Sequence, residues 1–303
     1  MISKKKDDPT RQKGGRKHPH EAFVRRQRKK ALTQRVVSGL LALNDSPMNR
    51  QYVRAWHCGN VIEQRDGMLV TQYCKSRVCL VCNGIRTAGL IDAYGPIVQN
   101  WERPVLVTLT VPNVPLSELR VTIQNMTRQF ANTVRALRKE GHEVKAIRTI
   151  EVTGKDARSV HPHLHVLVSS EVLGQSLMEG WLNRYPKAVR SAQDVRRADR
   201  GSLKELFKYL TKLTDPDLDP RLLDGILYEM KGLHLVRPIG FRLEKDPADD
   251  SVFDELTPTL DAFKRHGEHV FWVWHDDLGN WIDHTTGDIL VDTTPPFPTA
   301  GFA

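Results

Sequence analysis

Three clusters in this 303-residue chain have residue types and spacings suited to chemistry. The first is His161, His163 and His165 in HPHLHVLV. Residues two apart on a strand share a face, so the three imidazoles would point one way while Leu164, Val166 and Val168 pack the other way. Two such histidines with a carboxylate form a site for a divalent cation that keeps open positions. Glu151 is the carboxylate expected, a charge inside the largely apolar run KAIRTIEVT on the strand before. The second cluster is Cys58, Cys74, Cys79 and Cys82, whose thiolates could enclose one tetrahedral Zn²⁺. Such a site would be structural, since four protein ligands leave no open position; His57 is an alternative ligand to Cys58. The third is SLKELFKYLTK (202–212). On a helix, Leu203, Leu206, Phe207, Leu210 and Leu213 form an apolar face, and Glu205, Tyr209 and Lys212 form a stripe opposite it. That places Tyr209 away from the core. Glu205 has two readings that spacing leaves open: half of a Ser202–Glu205 capping box, or a reactive carboxylate. Lys208 and Lys212 taken alone fit a solvated face.

The elements that must position these residues follow from periodicity. PVLVTLTV (104–111) is a buried-strand run between Pro104 and Pro112. Leu119, Ile123, Met126, Phe130, Val134 and Leu137 recur at helical spacing, with Ser117 as the expected N-cap and Gly141 as the stop. Strands over 145–153 and 161–170, joined through Gly154, Lys155 and Asp156, are followed by a helix over 172–184, a short strand over 192–198 and a helix over 203–213. The order β-α-β-β-α-β-α predicts an α+β fold, an antiparallel sheet with helices on one face and the other face available to a ligand. Residues 269–291 predict a β-hairpin turning at Asp277–Asn280. The chain has no internal repeat.

Charge divides the chain. Lys and Arg total 45 against 36 Asp and Glu, a net +9. By segment, residues 1–50 are +10, residues 51–213 are +10 and residues 214–303 are −11. A polyanion is the partner expected for the two basic segments. The domains expected are a basic arm over 1–50, mobile across 1–35; a zinc-binding module over 51–90; a catalytic core over 100–213; and an acidic C-terminal region over 214–303. No run reaches the roughly 18 apolar residues of a membrane helix, and Lys4, Lys5 and Lys6 have no apolar stretch behind them. Four cysteines confined to 58–82 do not make a secreted disulfide scaffold. A cytoplasmic protein without a membrane partner is therefore expected. Lys75, Arg77 and Arg86, flanking the cysteines, become candidates to touch DNA.

VLVTLTVPN (105–113), HPHLHVLV (161–168) and ELFKYLTK (205–212) resemble, in order and spacing, the three motifs of the HUH-endonuclease replication initiators of small rolling-circle plasmids. CKSRVCLVCNGIR (74–86) resembles the cysteine segment those proteins carry upstream. The resemblance implies a bacterial enzyme acting on plasmid origin DNA, both duplex and single-stranded hairpin. It would nick through a 5′-phosphotyrosine and leave a 3′-hydroxyl for host DNA polymerase, with host helicase as a further partner and a homodimer among its states. His163 and His165 match the pair that holds Mg²⁺ or Mn²⁺, Glu151 falls where a third ligand is expected, and His161 matches a histidine beside them, as ligand or support. Tyr209 matches the nucleophile, Lys212 the lysine that follows it, and Glu205 the acidic residue of the single-tyrosine subgroup, which activates water at termination. Lys208 would contact the DNA backbone. No second tyrosine stands in the motif, which disfavours a two-tyrosine relay. The near alternative is a transposase or relaxase with the same core; the distant one is a zinc-stabilised DNA-binding regulator without catalysis.

Overall fold

The computed structural model describes residues 19–65, 68–199, 201–207, 218–243 and 270–291. In chain order the elements are α1 (Pro19–Leu41), α2 (Asn49–Trp56), β1 (Val61–Arg65), β2 (Met68–Thr71), α3 (Leu80–Gln99), β3 (Val105–Thr110), α4 (Leu119–Lys139), β4 (Ala146–Asp156), β5 (Ser159–Val168), α5 (Glu171–Arg184), β6 (Asp194–Arg197), α6 (Ser202–Phe207), α7 (Pro220–Glu229), β7 (Val236–Ile239), β8 (Val270–His275) and β9 (Asn280–Asp283). No helix among the described residues is long and apolar enough to cross a membrane.

The larger sheet is antiparallel, in the order β6-β3-β5-β4-β7. Strand β5 lies at its centre, so both its neighbours set its facing. Its register places Leu164 opposite Leu109 and Ile150, and Val166 opposite Val107 and Arg148. Leu164, Val166 and Val168 are fully buried on this face under α4 and α5. Helix α4 supplies Leu119, Ile123, Met126, Phe130, Val134 and Leu137, the residues whose spacing predicts it. Helix α5 comes close because Gly174 carries no Cβ; one added there would run into Val105 and Val107. On the other face α6 packs against β5 and α3, with Tyr94 and Phe207 at 5.7 Å between ring centroids. These two helices cover the Leu106–Leu167 end of that face and leave the histidine end without a helix.

The smaller antiparallel sheet, β2-β1-β8-β9, joins residues near 65 to residues near 275. The hairpin expected over 269–291 is present, with its turn at 276–279, but it is no appendage: β8 pairs with β1, placing Ile62 opposite Trp272. Likewise β7 forms the outer edge of the larger sheet and α7 buries Leu222, Leu223, Ile226 and Leu227. Within the described residues, the acidic C-terminal region therefore completes both sheets instead of standing apart.

The mobile arm is corrected for residues 19–41, which form α1. Ala31 packs with Ile62, Trp274 and Trp281, while Val36, Val37 and Leu40 pack with Tyr52, Trp56 and Leu223. Its polar residues are held too: Gln27 donates to Gly279 O at 3.1 Å, Gln34 to Asp276 at 2.7 Å, and Lys30 to Trp56 O, Cys58 O and Asn60 at 3.2, 2.9 and 2.6 Å. Local composition missed this because the core α1 needs comes from segments more than 200 residues away. Two smaller corrections concern boundaries. Ser117 does not cap α4, which is entered through a 3₁₀ turn at Leu116–Glu118. The Gly154–Asp156 loop is the end of β4, so the β4–β5 turn shrinks to Ala157 and Arg158.

Candidate active site and cysteine cluster

The register of three strands builds the first site. Glu151 on β4 lies opposite His163, and Thr149 opposite His165; on the other side Thr108 and Thr110 of β3 face His165 and His163. Directly opposed residues share a sheet face, so these groups converge. Glu151 Oε2 lies 2.7 Å from His165 Nε2 and 3.4 Å from His163 Nε2. Cis donors around a six-coordinate ion at about 2.1 Å sit roughly 3.0 Å apart, and the two distances bracket that spacing. The donor set of one carboxylate and two imidazoles suits a divalent cation with further positions open.

Both rings are oriented from behind. His163 Nδ1 donates to His161 O at 3.3 Å, which leaves Nε2 for an ion. His165 Nδ1 is 3.2 Å from Thr108 Oγ1. His161 stacks edge-on against His163 at 5.3 Å but is not part of the Glu151–His163–His165 group. Burial, and then the neighbouring His163, lower its pKa. Thr108 is the supporting residue that motif reading passed over; the alternation in VLVTLT carries the signal, since it puts Thr108 and Thr110 on one face. Replacing Thr108 by Val is expected to weaken Mn²⁺ binding about 10–100-fold while leaving the fold intact. Calorimetric titration with Mn²⁺ beside a thermal melt checks this; an unchanged Kd assigns the ring's orientation to packing alone.

Of the third cluster, Lys208, Tyr209 and Lys212 lie outside the described residues. Glu205 is described, and the structure decides between its two readings. Ser202 Oγ donates to Asp199 Oδ1 and accepts from Asp199 N, and Glu205 N donates to Gly201 O, so no capping box forms. The Glu205 carboxylate instead accepts from Arg196 at 2.5 Å. Arg196 is the register partner of Leu106, on the histidine face of the sheet. That pairing raises the Arg196 pKa, and no sequence motif marks it.

The four cysteines meet in one buried cluster as free thiols. Cys58 Sγ and Cys74 Sγ are 3.5 and 3.6 Å from Cys82 Sγ. A disulfide needs about 2.05 Å, whereas sulfurs around a tetrahedral ion at about 2.3 Å lie roughly 3.8 Å apart. The geometry therefore fits one structural ion. Burial pushes the Cys79 thiol up, but hydrogen bonds from Cys58, Cys74 and Cys82 outweigh that and hold it well below its usual range. Lys30, 5.0 Å from the Trp274 ring centroid, is lowered to about 8 by burial, against the pull of the sulfurs. Two of the three expected DNA contacts beside the cluster are corrected. Arg77 donates to Met230 O and Leu233 O at 3.1 and 2.8 Å, and buried Arg86 donates to Asn83 and Lys75 O at 3.1 and 2.6 Å. Both guanidinium groups tie the cysteine loop to its surroundings. Lys75 is half-buried with φ 57°, a left-handed conformation set by the cysteine loop.

Comparison with known proteins bears on the same residues. Residues 67–176 match the family described as replication protein. A curated protein named Protein rep, from Streptococcus pneumoniae serotype 2 (strain D39 / NCTC 7466), is 28% identical over 214 residues, 61% of this chain and 66% of that protein. Another Protein rep, from Lentilactobacillus hilgardii, is 24% identical over 127 residues, 38% of this chain and 40% of the relative. The chain thus spans 66% and 40% of the lengths of these two relatives. No solved structure matches it. The resemblance expected from the motifs is therefore supported independently of them, and residues 67–176, with Cys74, Cys79, Cys82, Glu151, His163 and His165 among them, are those of the replication protein family.

Proposed function

We propose that the chain is a rolling-circle replication initiator, an endonuclease and strand transferase that nicks and rejoins one strand of plasmid origin DNA. The observation that carries this reading is the Glu151–His163–His165 group, on a sheet face left open by the helices and inside the segment that matches the family. A Mg²⁺ or Mn²⁺ ion held there would polarise the scissile phosphate and offset the charge that develops on it. The chain's own residues do the rest. Thr108 and the His161 carbonyl keep the two imidazoles aimed at the ion. Tyr209 Oη attacks phosphorus; the Oη–P bond forms, the P–O3′ bond breaks, and the phenolic proton is lost as the leaving oxygen gains one. The products are a 5′-phosphotyrosine and a 3′-hydroxyl that host polymerase extends, with host helicase opening the duplex. A phenol with pKa near ~10 is a weak nucleophile at neutral pH, and the Lys212 ammonium favours its ionised form. At termination Glu205, held by Arg196 and not engaged in a cap, takes a proton from water for the second cleavage. Zn²⁺ in the cysteine cluster has a structural role.

The test incubates the full chain with Mn²⁺ and labelled single-stranded oligonucleotides tiling its replicon's origin, and looks for a denaturant-resistant protein–DNA adduct. Wild type should form it, Tyr209→Phe should not, and Glu205→Ala should form it yet fail to terminate. An adduct in Tyr209→Phe would remove Tyr209 as nucleophile. Sequence-specific origin binding without any nicking would make the chain a zinc-stabilised regulator.

A further inference from the structure

A groove of about 720 Å³ lies on the sheet face opposite the histidines, between α4 and the edge strand β7. Arg128, Arg135, Arg138, Arg148, Arg237 and Arg242 line it, and no acidic residue does. Arg128, Arg135 and Arg138 stand at i, i+7 and i+10 on α4, one stripe of the helix, with Phe130 and Val134 forming apolar floor beside them. Arg148 and Arg237 are direct cross-strand partners of β4 and β7. Like charges directly opposed on a sheet, or three and four residues apart on a helix, destabilise the fold. Among the described residues, none of Arg128, Arg135, Arg138, Arg237 and Arg242 forms an ion pair that would relieve this. Arg128 and Arg135 reach only Asn125 and Asn132. The helix dipole accounts for Arg138 in the last turn of α4 but not for Arg128, mid-helix. All five are exposed, so the groove is open along its length.

We infer that this groove is a second DNA site, which holds the phosphate backbone of duplex origin DNA while the opposite face acts on a single strand. The stripe on α4 runs about 15 Å at 1.5 Å per residue, which exceeds one phosphate and matches about four steps of a duplex strand at roughly 3.4 Å each. Guanidinium groups grip phosphate through paired hydrogen bonds, so arginine at every charged position suits such a backbone. The choice of DNA rests on the function proposed above. The two sites lie on opposite faces, so that loss of one need not affect the other.

The test measures binding of the full chain to a fluorescent 30-base-pair random-sequence duplex from 0.05 to 0.3 M salt. Arg128→Gln, Arg135→Gln and Arg138→Gln are combined in one variant. The expected result is at least about tenfold weaker binding at 0.15 M salt and a log–log salt slope shallower by about 2.7, or 0.9 per phosphate released. The matching triple Lys variant should recover the slope but not the full affinity, which excludes an effect of misfolding. Cleavage of single-stranded oligonucleotides should stay at the wild-type rate in both variants. Unchanged duplex affinity and slope would overturn the inference. So would loss of binding to polyglutamate alone, which would assign the groove to an acidic protein. If no variant, wild type included, nicks any oligonucleotide, the proposed function fails while the duplex measurement still decides on the groove.

Discussion

Alanine at both His163 and His165 should reduce nicking by at least about 10³–10⁴-fold while leaving the protein folded. The two rings supply two of the three donors that converge within the group, so their removal takes away the ion and with it the several kcal/mol that a Lewis acid contributes to transition-state charge stabilisation. At 1.36 kcal/mol per decade, about 4–5 kcal/mol corresponds to that loss. The fold should survive because the rings stand on the open face, away from Leu164, Val166 and Val168, which fill the core. Nicking rates and Mn²⁺ titration on the same samples check the two halves together. Glu151→Gln serves as a control, since it removes the charge from a buried carboxylate while keeping its volume. Nicking within tenfold of wild type in the double variant would place the chemistry elsewhere.

The second large effect is expected from the cysteines. Removing zinc with a strong chelator, or replacing Cys74 by Ser, should lower the thermal midpoint by about 20 °C or more and abolish nicking. Structural zinc sites contribute apparent binding free energies of roughly 10–16 kcal/mol, comparable to the whole stability of a domain at about 5–15 kcal/mol. At about 2–4 °C per kcal/mol for a protein of this size class, a shift of that order follows. The sulfurs are central to a cluster that includes Val36, Val37, Leu40, Tyr52, Trp56, Leu223 and Leu227, so the loss would reach both ends of the chain. It would also reach the active face. Cys79 and Cys82 open α3, and α3 supports α6 through Tyr94 and Phe207, two residues from Glu205. One zinc per chain by mass spectrometry, with the midpoint restored when zinc is returned, is the expected record. A wild-type protein free of zinc with the same midpoint as Cys74→Ser would refute it.

A corollary concerns truncation. Cutting away residues 1–35 cannot serve as a test of a basic arm, because it removes Ala31, Lys30 and Gln34 from the smaller sheet's core and Thr33 from the start of α3, where its hydroxyl accepts from Leu80 N at 3.0 Å.

Much of the histidine site was legible because β-strand alternation has a period of two, and two adjacent strands constrain each other. HPHLHVLV and KAIRTIEVT determined which side chains share a face and that Glu151 would meet His163. The cysteine spacing likewise determined a four-sulfur site. Glu205 was not legible, because its helical spacing from Ser202 satisfies a capping box as well as any other role. Only the packing of α6 beside β6, which brings Arg196 within 2.5 Å, separates the two. Arg77 and Arg86 show the same limit in reverse: a basic residue beside a metal loop reads as a nucleic-acid contact until carbonyls from distant segments are found to accept its hydrogen bonds.

The sequence by itself determined the local patterns, namely the strands and helices of the larger sheet, the two candidate metal sites and the uneven charge. Tertiary structure alone decided where the charged segments went. Helix α1, basic and nearly without an apolar face of its own, folds because Trp274, Trp281, Leu223 and Leu227 come to it from the far end of the chain, and the arginines of α4 and β7 become one groove only when β7 joins the edge of the sheet. Burial and charge proximity depend on which distant segments meet, and no local pattern carries that information.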